Sequence, residues 1–117
     1  PRIDGIVEDG ASLRGRIELG SGSTIESDAV VRGPVSIGED TTIGGDAYVG
    51  PYTSIGDDCV VEGVHIEASV VIGQSEIRCD RTVVDSLIGR QTSIVSKDGS
   101  RPAGERLVVG EHSSLRL

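Results

Sequence analysis

The two histidines are the side chains of this sequence best suited to acid–base chemistry. His65 stands close to Glu62 and Glu67, and His112 follows Glu111. An imidazole titrates near neutral pH, so a histidine held beside a carboxylate can act as a general base. Neither histidine adjoins a loop that would bring two substrates to it. We therefore expect both to be solvated or structurally satisfied residues.

Metal-binding patterns are weak in this chain. Cys59 and Cys79 lack the C-x-x-C spacing of zinc and disulfide motifs, and two histidines are too few for a three-histidine zinc site. The acidic pairs at 39–40 and 57–58 offer oxygen ligands for Ca²⁺, but they follow glycines as turn residues do. We predict no metal ligands and no catalytic residues, and expect both cysteines to be reduced thiols.

The element that positions all these side chains is a six-residue repeat. Aliphatic residues recur at every sixth position in the first half of the chain, namely Val7, Leu13, Leu19, Ile25, Val31, Ile37, Ile43, Val49, Ile55 and Val61. Two positions earlier stand mostly small residues, namely Ala11, Ile17, Ser23, Ala29, Val35, Thr41, Ala47, Thr53 and Cys59. Residues two apart share a face of a strand, so both series should point inward. The later steps alternate between five and six, through Ile66, Ile72, Ile77, Val83, Ile88 and Ile94.

Hexapeptide periodicity indicates an all-β parallel β-helix of about five coils. We predict one domain over 1–117, with a solenoid core at 3–95, a polar loop at 96–106 and a capping tail at 107–117. The N-terminal edge, Ile3 to Val7, has no comparable cover, and the chain contains no methionine. These features predict a fragment of a longer polypeptide whose preceding domain is absent.

Charge and hydropathy argue against two classes of partner. The net charge is −8, whereas nucleic-acid binding relies on clustered cations. The acidic excess lies in residues 1–70, which hold 4 basic and 13 acidic side chains, against 7 and 6 in residues 71–117. No apolar run is long enough to cross a bilayer, and no signal peptide is recognisable. We expect a cytoplasmic protein without nucleic-acid or membrane partners.

Several segments resemble one enzyme family in their order along the chain. They are 31–38, 48–59, 66–71, 85–90 and 106–115, and together they are similar to the C-terminal region of long-form glucose-1-phosphate thymidylyltransferases, which are sugar-1-phosphate nucleotidylyltransferases. The usual crossover preference would give a right-handed coil. Left-handedness is therefore implied by the resemblance to hexapeptide-repeat proteins and does not follow from the period.

The resemblance implies an accessory role. In that family an N-terminal α/β domain condenses dTTP with glucose 1-phosphate and releases pyrophosphate with the help of Mg²⁺. This sequence shows no glycine-rich phosphate loop between a strand and a helix. We expect the isolated chain to be inactive and to need no cofactor of its own. Its expected partner is the N-terminal catalytic domain of the parent protein.

An acyltransferase is the alternative, because related β-helices bind acetyl-CoA and acetylate amino-sugar phosphates. His65 or His112 would be the base. The phosphates of the cofactor would need cations from a set that comprises Arg78, Arg81, Arg90 and Arg101.

Assembly through flat solenoid faces is a third possibility, and it predicts a homo-oligomer. Tyr48 and Tyr52 are the only aromatic residues, and aromatics are enriched in interfaces. Arg101 and Arg106 flank the polar loop and would meet a phosphate or an acidic surface of the absent domain. These four residues are the predicted interface.

Overall fold

A computed structural model of the chain describes residues 2–95, 108–109 and 114–116, and these residues form a β-solenoid of about five coils. The first coil comprises β1 (Arg2–Ile3), β2 (Ile6–Val7) and β3 (Ser12–Arg14). The second and third comprise β4 (Ile17–Leu19), β5 (Thr24–Ile25), β6 (Val30–Arg32), β7 (Val35–Ile37), β8 (Thr42–Gly44) and β9 (Tyr48–Val49). The fourth and fifth comprise β10 (Thr53–Asp57), β11 (Val60–Glu62), β12 (His65–Glu67), β13 (Val70–Gly73), β14 (Glu76–Arg78) and β15 (Thr82–Val84). They are followed by β16 (Leu87–Ile88), β17 (Ser93–Val95), β18 (Val108–Val109) and β19 (Ser114–Arg116).

Successive coils stack as three parallel sheets. Sheet A contains β1, β4, β7, β10, β13, β16 and β18; sheet B contains β2, β5, β8, β11, β14, β17 and β19; sheet C contains β3, β6, β9, β12 and β15. Every third strand of the chain thus pairs with its counterpart one coil away. This all-β architecture matches the predicted left-handed parallel β-helix, and it contains no helix among the described residues.

The interior is the one that the six-residue period predicts. From Leu19 to Val61 every member of the large aliphatic series is buried, while Val7 and Leu13 of the open first coil are partly buried. The small series is also buried from Ile17 onward. The two series fill the tube because alternate residues of each strand face inward.

One inward position was wrongly predicted. Ile72 is 43% exposed, whereas the preceding Val71 is 1% exposed and takes the interior position of β13. Val71 pairs in register with Ile55 and Ile88, which are both interior residues. The inward positions advance by five residues twice in succession, from Val61 to Ile66 and from Ile66 to Val71. Residues 70–72 are all aliphatic, so the sequence does not show which of them faces inward.

Hydroxyl groups in the interior link one coil to the next. Ser23 Oγ donates to the carbonyl oxygen of Gly38 at 2.6 Å and accepts from the backbone N–H of Thr41 at 2.9 Å. Thr41 Oγ1 repeats the pattern with Gly56 O at 2.8 Å and Cys59 N at 3.1 Å. These bonds satisfy polar groups that would otherwise be buried at a cost. The interior is therefore less purely aliphatic than the period predicts.

The last strands extend the solenoid beyond residue 95. Strand β18 pairs with β16 in sheet A, and β19 pairs with β17 in sheet B, both in parallel. The predicted loop at 96–106 lies outside the described residues, as do Arg101, Arg106, His112 and much of the predicted tail. Nothing in the described part of the chain is a helix long and apolar enough to span a bilayer.

Candidate functional site

The functional side chains of a solenoid are those that alternate outward from its strands, since the inward ones fill the tube. On sheet C the outward positions form two columns along the stack. One column runs through Ser12, Val30, Tyr48, His65 and Thr82, and the other runs through Arg14, Arg32, Glu67 and Val84, with Gly50 between Arg32 and Glu67. We refer to these ten residues as the sheet C face.

An arginine pair lies at one end of the sheet C face. Arg14 in β3 and Arg32 in β6 are direct register partners, and both are exposed. Neighbouring strands lie about 4.8 Å apart, so the two cationic side chains leave the backbone side by side. Arg16, also exposed, follows two residues after Arg14 at the corner that leads to sheet A. Two cations are therefore neighbours in a chain that carries a net negative charge.

An aromatic pair follows one coil later. The rings of Tyr48 and His65 lie with their centroids 4.3 Å apart and their planes at 35°. Gly50 is required beside them, because a Cβ there would lie 2.7 Å from Tyr48 Cε1 and 2.8 Å from Glu67 Cβ. Glu67 Oε2 lies 3.9 Å from His65 Nε2. The absence of a side chain at Gly50 thus leaves room for the tyrosine ring and for the side chain of Glu67.

Tyr52 occupies the corner between sheets C and A, which we call the C–A corner and which comprises residues 15–16, 33–34, 50–52, 68–69 and 85–86. Its side chain is 77% exposed, and its backbone has φ of 63°. Left-handed backbone is costly for a bulky residue, and Ala68 and Asp85 occupy the equivalent position in the next coils with φ of 51° and 48°. A hydrogen bond from Tyr52 N to Pro34 O, 2.8 Å long, secures the turn.

Acidic residues lie mainly on the other faces and corners. Sheet B and the corner from sheet B to sheet C carry Glu8, Asp9, Glu26, Asp28, Asp46, Glu62, Glu76 and Asp80. On sheet B, Arg78 is held between two carboxylates, with Nε 3.3 Å from both Glu62 Oε1 and Glu76 Oε2. In the described segments of the C–A corner, Asp85 is the one carboxylate. The cations of sheet C are thus segregated from most of the acidic groups.

The structure separates the groups that the acyltransferase alternative requires. Glu62 points outward from sheet B, a different face from that of His65, so only Glu67 lies beside the histidine. Arg81 is only 8% exposed, and it takes the corner position that the buried Val64 takes one coil earlier. It is therefore not a surface cation. Arg78 is already paired on sheet B, and Arg90 lies in a corner segment after β16.

Neither metal coordination nor thiol chemistry is supported by the geometry. Among residues 2–95 and the two short strands that follow, no group of three or more histidine, cysteine, aspartate or glutamate side chains could hold a metal ion. Asp57 Oδ1 instead accepts a turn hydrogen bond from Glu39 N at 2.7 Å. Burial raises the pKa of the Cys59 thiol, which keeps it protonated and unreactive. Both Cys59 and Cys79 are buried.

These features define a class: a parallel β-helix whose described residues place an arginine pair and an aromatic pair on one outer face. A family model for the GMPPB C-terminal domain matches residues 31–112. The chain belongs to this family. A low-salt glycan biosynthesis nucleotidyltransferase of Haloferax volcanii, Agl11, is 55% identical over 113 residues, which are 97% of this chain and 32% of that protein. The chain thus spans about a third of the length of this relative.

Solved structures with a similar course of the chain have low sequence identity. A UDP-N-acetylglucosamine acyltransferase from Campylobacter jejuni is 13% identical, with a TM-score of 0.43 and coverage of 93% of this chain and 64% of the other. A hexapeptide transferase family protein from Anaplasma phagocytophilum is 16% identical, with a TM-score of 0.47 and coverage of 94% and 73%. The activities that these names state are not transferred to this chain.

Sequence reasoning selected Tyr48 but overlooked its surroundings. Arg14 and Arg32 were not predicted as site residues, although both stand one position after an interior residue of the six-residue series. Their 18-residue separation equals three repeats, so the period itself places them on neighbouring coils. Tyr48 and Tyr52 do not share a sheet, because Tyr48 lies in β9 of sheet C and Tyr52 lies in the C–A corner.

Proposed function

We propose that this chain is a non-catalytic accessory domain of a sugar-1-phosphate nucleotidyltransferase. The observation that carries the proposal is the 55% identity over 97% of the chain to a nucleotidyltransferase of which the chain spans only 32%. A β-helix whose described residues contain no candidate metal site suits a structural or binding role rather than the metal-assisted transfer of a nucleotidyl group.

The more specific proposal is a glucose-1-phosphate thymidylyltransferase. Its reaction joins dTTP and glucose 1-phosphate to give dTDP-glucose and pyrophosphate. The segments at 31–38, 48–59 and 85–90 that resemble this family support it. The described residues contain no group of three or more potential metal ligands, and we assign no catalytic step to them.

Docking of the catalytic domain is the role that we assign to sheet A. Val70 and Leu87 are register partners on its outer side, and both are exposed together with Ile72. Exposed apolar residues that cluster on one face are typical of an interaction surface. The relative is about three times as long as this chain. We therefore propose that a catalytic domain of the same polypeptide covers this apolar surface of sheet A.

Pyrophosphate release tests the proposal directly. The 117-residue chain should release none from any nucleoside triphosphate with glucose 1-phosphate and Mg²⁺, whereas the parent protein should release it fastest with dTTP. Release by the isolated chain would show that it is catalytic. A parent protein that prefers another triphosphate would refute the thymidylyltransferase assignment and leave the accessory role intact.

Acetyl transfer from acetyl-CoA to an amino-sugar phosphate tests the acyltransferase alternative in the same preparation. We expect no release of free CoA, because His65 and the described arginines of the predicted cofactor set lie on different parts of the solenoid. Release of CoA that depends on the amino-sugar phosphate would favour the acyltransferase. No described feature favours that function.

A further inference from the structure

We infer that the sheet C face binds a nucleoside diphosphate, with Arg14 and Arg32 on the phosphates and Tyr48 beside the base. This ligand site goes beyond the proposed accessory role and does not depend on the reaction of the parent protein. It rests on the arrangement of charge and aromatic rings over three successive coils.

The arginine pair is the first step of the argument. Like charges directly opposite each other in a sheet are destabilising, yet Arg14 and Arg32 are register partners. Within the described chain, no carboxylate forms an ion pair with either guanidinium, although acidic residues outnumber basic ones. An anion that bridges the two side chains would remove the repulsion.

Phosphate is the anion that best fits two neighbouring guanidinium groups. Each guanidinium presents a planar fork of donors that binds phosphate oxygens in pairs. A spacing of about 4.8 Å between adjacent strands lets two such forks engage consecutive phosphates of one ligand. The site therefore suits a diphosphate better than a singly charged carboxylate.

The aromatic pair supplies the second half of the site. Tyr48 lies one coil beyond Arg32, in the other of the two columns of the sheet C face, and it is only partly buried. His65 stacks against one side of this ring, which fixes the ring orientation. Planar bases stack on tyrosine rings, and such stacking tolerates different bases. A ligand that spans the arginines and Tyr48 would thus carry a base at one end and phosphates at the other.

The borders of the face favour a small ligand over a large acidic surface. Asp28 and Asp46 lie in the corner segments between sheets B and C, directly beyond one edge of the face. A broad acidic partner would meet these carboxylates and be repelled, because like charges in contact disfavour an interface. A nucleoside diphosphate is small enough to lie between the arginines and Tyr48 without reaching them.

Calorimetric titration of the 117-residue chain with thymidine diphosphate, uridine diphosphate, uridine and pyrophosphate tests the site. We expect both nucleoside diphosphates to bind, and expect Arg14→Gln and Arg32→Gln each to weaken them at least tenfold. Tyr48→Val, which repeats the residue that Val30 places one coil earlier, should weaken the nucleoside diphosphates without affecting pyrophosphate. Arg78→Gln is the matched control, because Arg78 is an exposed arginine that is paired with Glu62 and Glu76.

Four results would overturn the inference. The first three are the absence of binding for every probe at millimolar concentration, unchanged binding after both arginine substitutions, and an equal loss in Arg78→Gln. Equal affinity for pyrophosphate and for the nucleoside diphosphates would exclude the role of Tyr48 and thereby the assignment to a nucleoside ligand. Circular dichroism checks that each variant is folded. We expect the arginine variants to be folded because Arg14 and Arg32 are exposed. A negative result in these binding titrations would not affect the pyrophosphate-release test of the proposed function.

Discussion

The coils before and after residue 60 have the same interior but different lengths and different outer faces. In sheet A, Glu18, Ser36 and Ser54 are register partners 18 residues apart. Beyond them, Ser54 pairs with Val70 and Val70 with Leu87, at separations of 16 and 17 residues. We call residues 6–59 the regular coils and residues 60–95 the shortened coils. The shortened coils therefore have fewer residues at their corners than the regular coils, while their strands still pair in parallel.

The interior and the outer surface of the solenoid follow separate constraints. Buried aliphatic residues continue through both regions, because every coil must fill the same tube. The regular coils carry the unpaired Arg14 and Arg32 on sheet C. The shortened coils carry the apolar Val70 and Leu87 on sheet A and the paired Arg78 on sheet B. We accordingly assign ligand binding to the regular coils and domain docking to the shortened ones.

The shift in step at the start of the shortened coils gives the largest expected effect. Val71→Asp would place a carboxylate inside the apolar tube, and we expect it to remove more than about 4 kcal/mol of stability or to prevent folding. Ile72→Asp changes the adjacent exposed residue and should alter stability by less than about 0.5 kcal/mol. Urea unfolding followed by circular dichroism at pH 7 measures both. Greater damage from Ile72→Asp would refute the interior position of Val71.

Packing inside the two regions should be equally tight. Ile43 in the regular coils and Ile77 in the shortened coils are both 0% exposed and both face inward from sheet B. Replacing either with alanine leaves a cavity, so we expect Ile43→Ala and Ile77→Ala each to cost about 2–5 kcal/mol. Denaturation midpoints at constant m-value provide the comparison. A much smaller cost for Ile77→Ala would mean that the shortened coils are loosely packed.

The sequence predicts the interior of the regular coils better than any other feature. A period of six specifies which residues face inward, and the structure confirms this from Leu19 to Val61. The prediction fails at Ile72, because three adjacent aliphatic residues do not reveal which one faces inward. In the structure Val71 is the inward residue, since it pairs in register with Ile55 and Ile88. The sheet C face depends on outward residues, whose types the packing of the tube does not restrict. Tyr48 was therefore recognised only by its scarcity, and the adjacent arginines were overlooked.

The smallest expected effect concerns the hydroxyl groups of the interior. Ser23→Ala removes a donor to Gly38 O and an acceptor for Thr41 N, and should cost about 1–3 kcal/mol because a buried N–H loses its partner. Thr53 is the register partner of Val35 in the preceding coil, and its buried Oγ1 has no hydrogen-bond partner among the described residues. Thr53→Val repeats the residue of the preceding coil, so it should be neutral or stabilise by up to about 1 kcal/mol. Thermal unfolding measures the two changes side by side. A loss in Thr53→Val as large as that in Ser23→Ala would reveal a polar partner for this hydroxyl, and would extend the hydroxyl-bonded interior across the junction of the two regions.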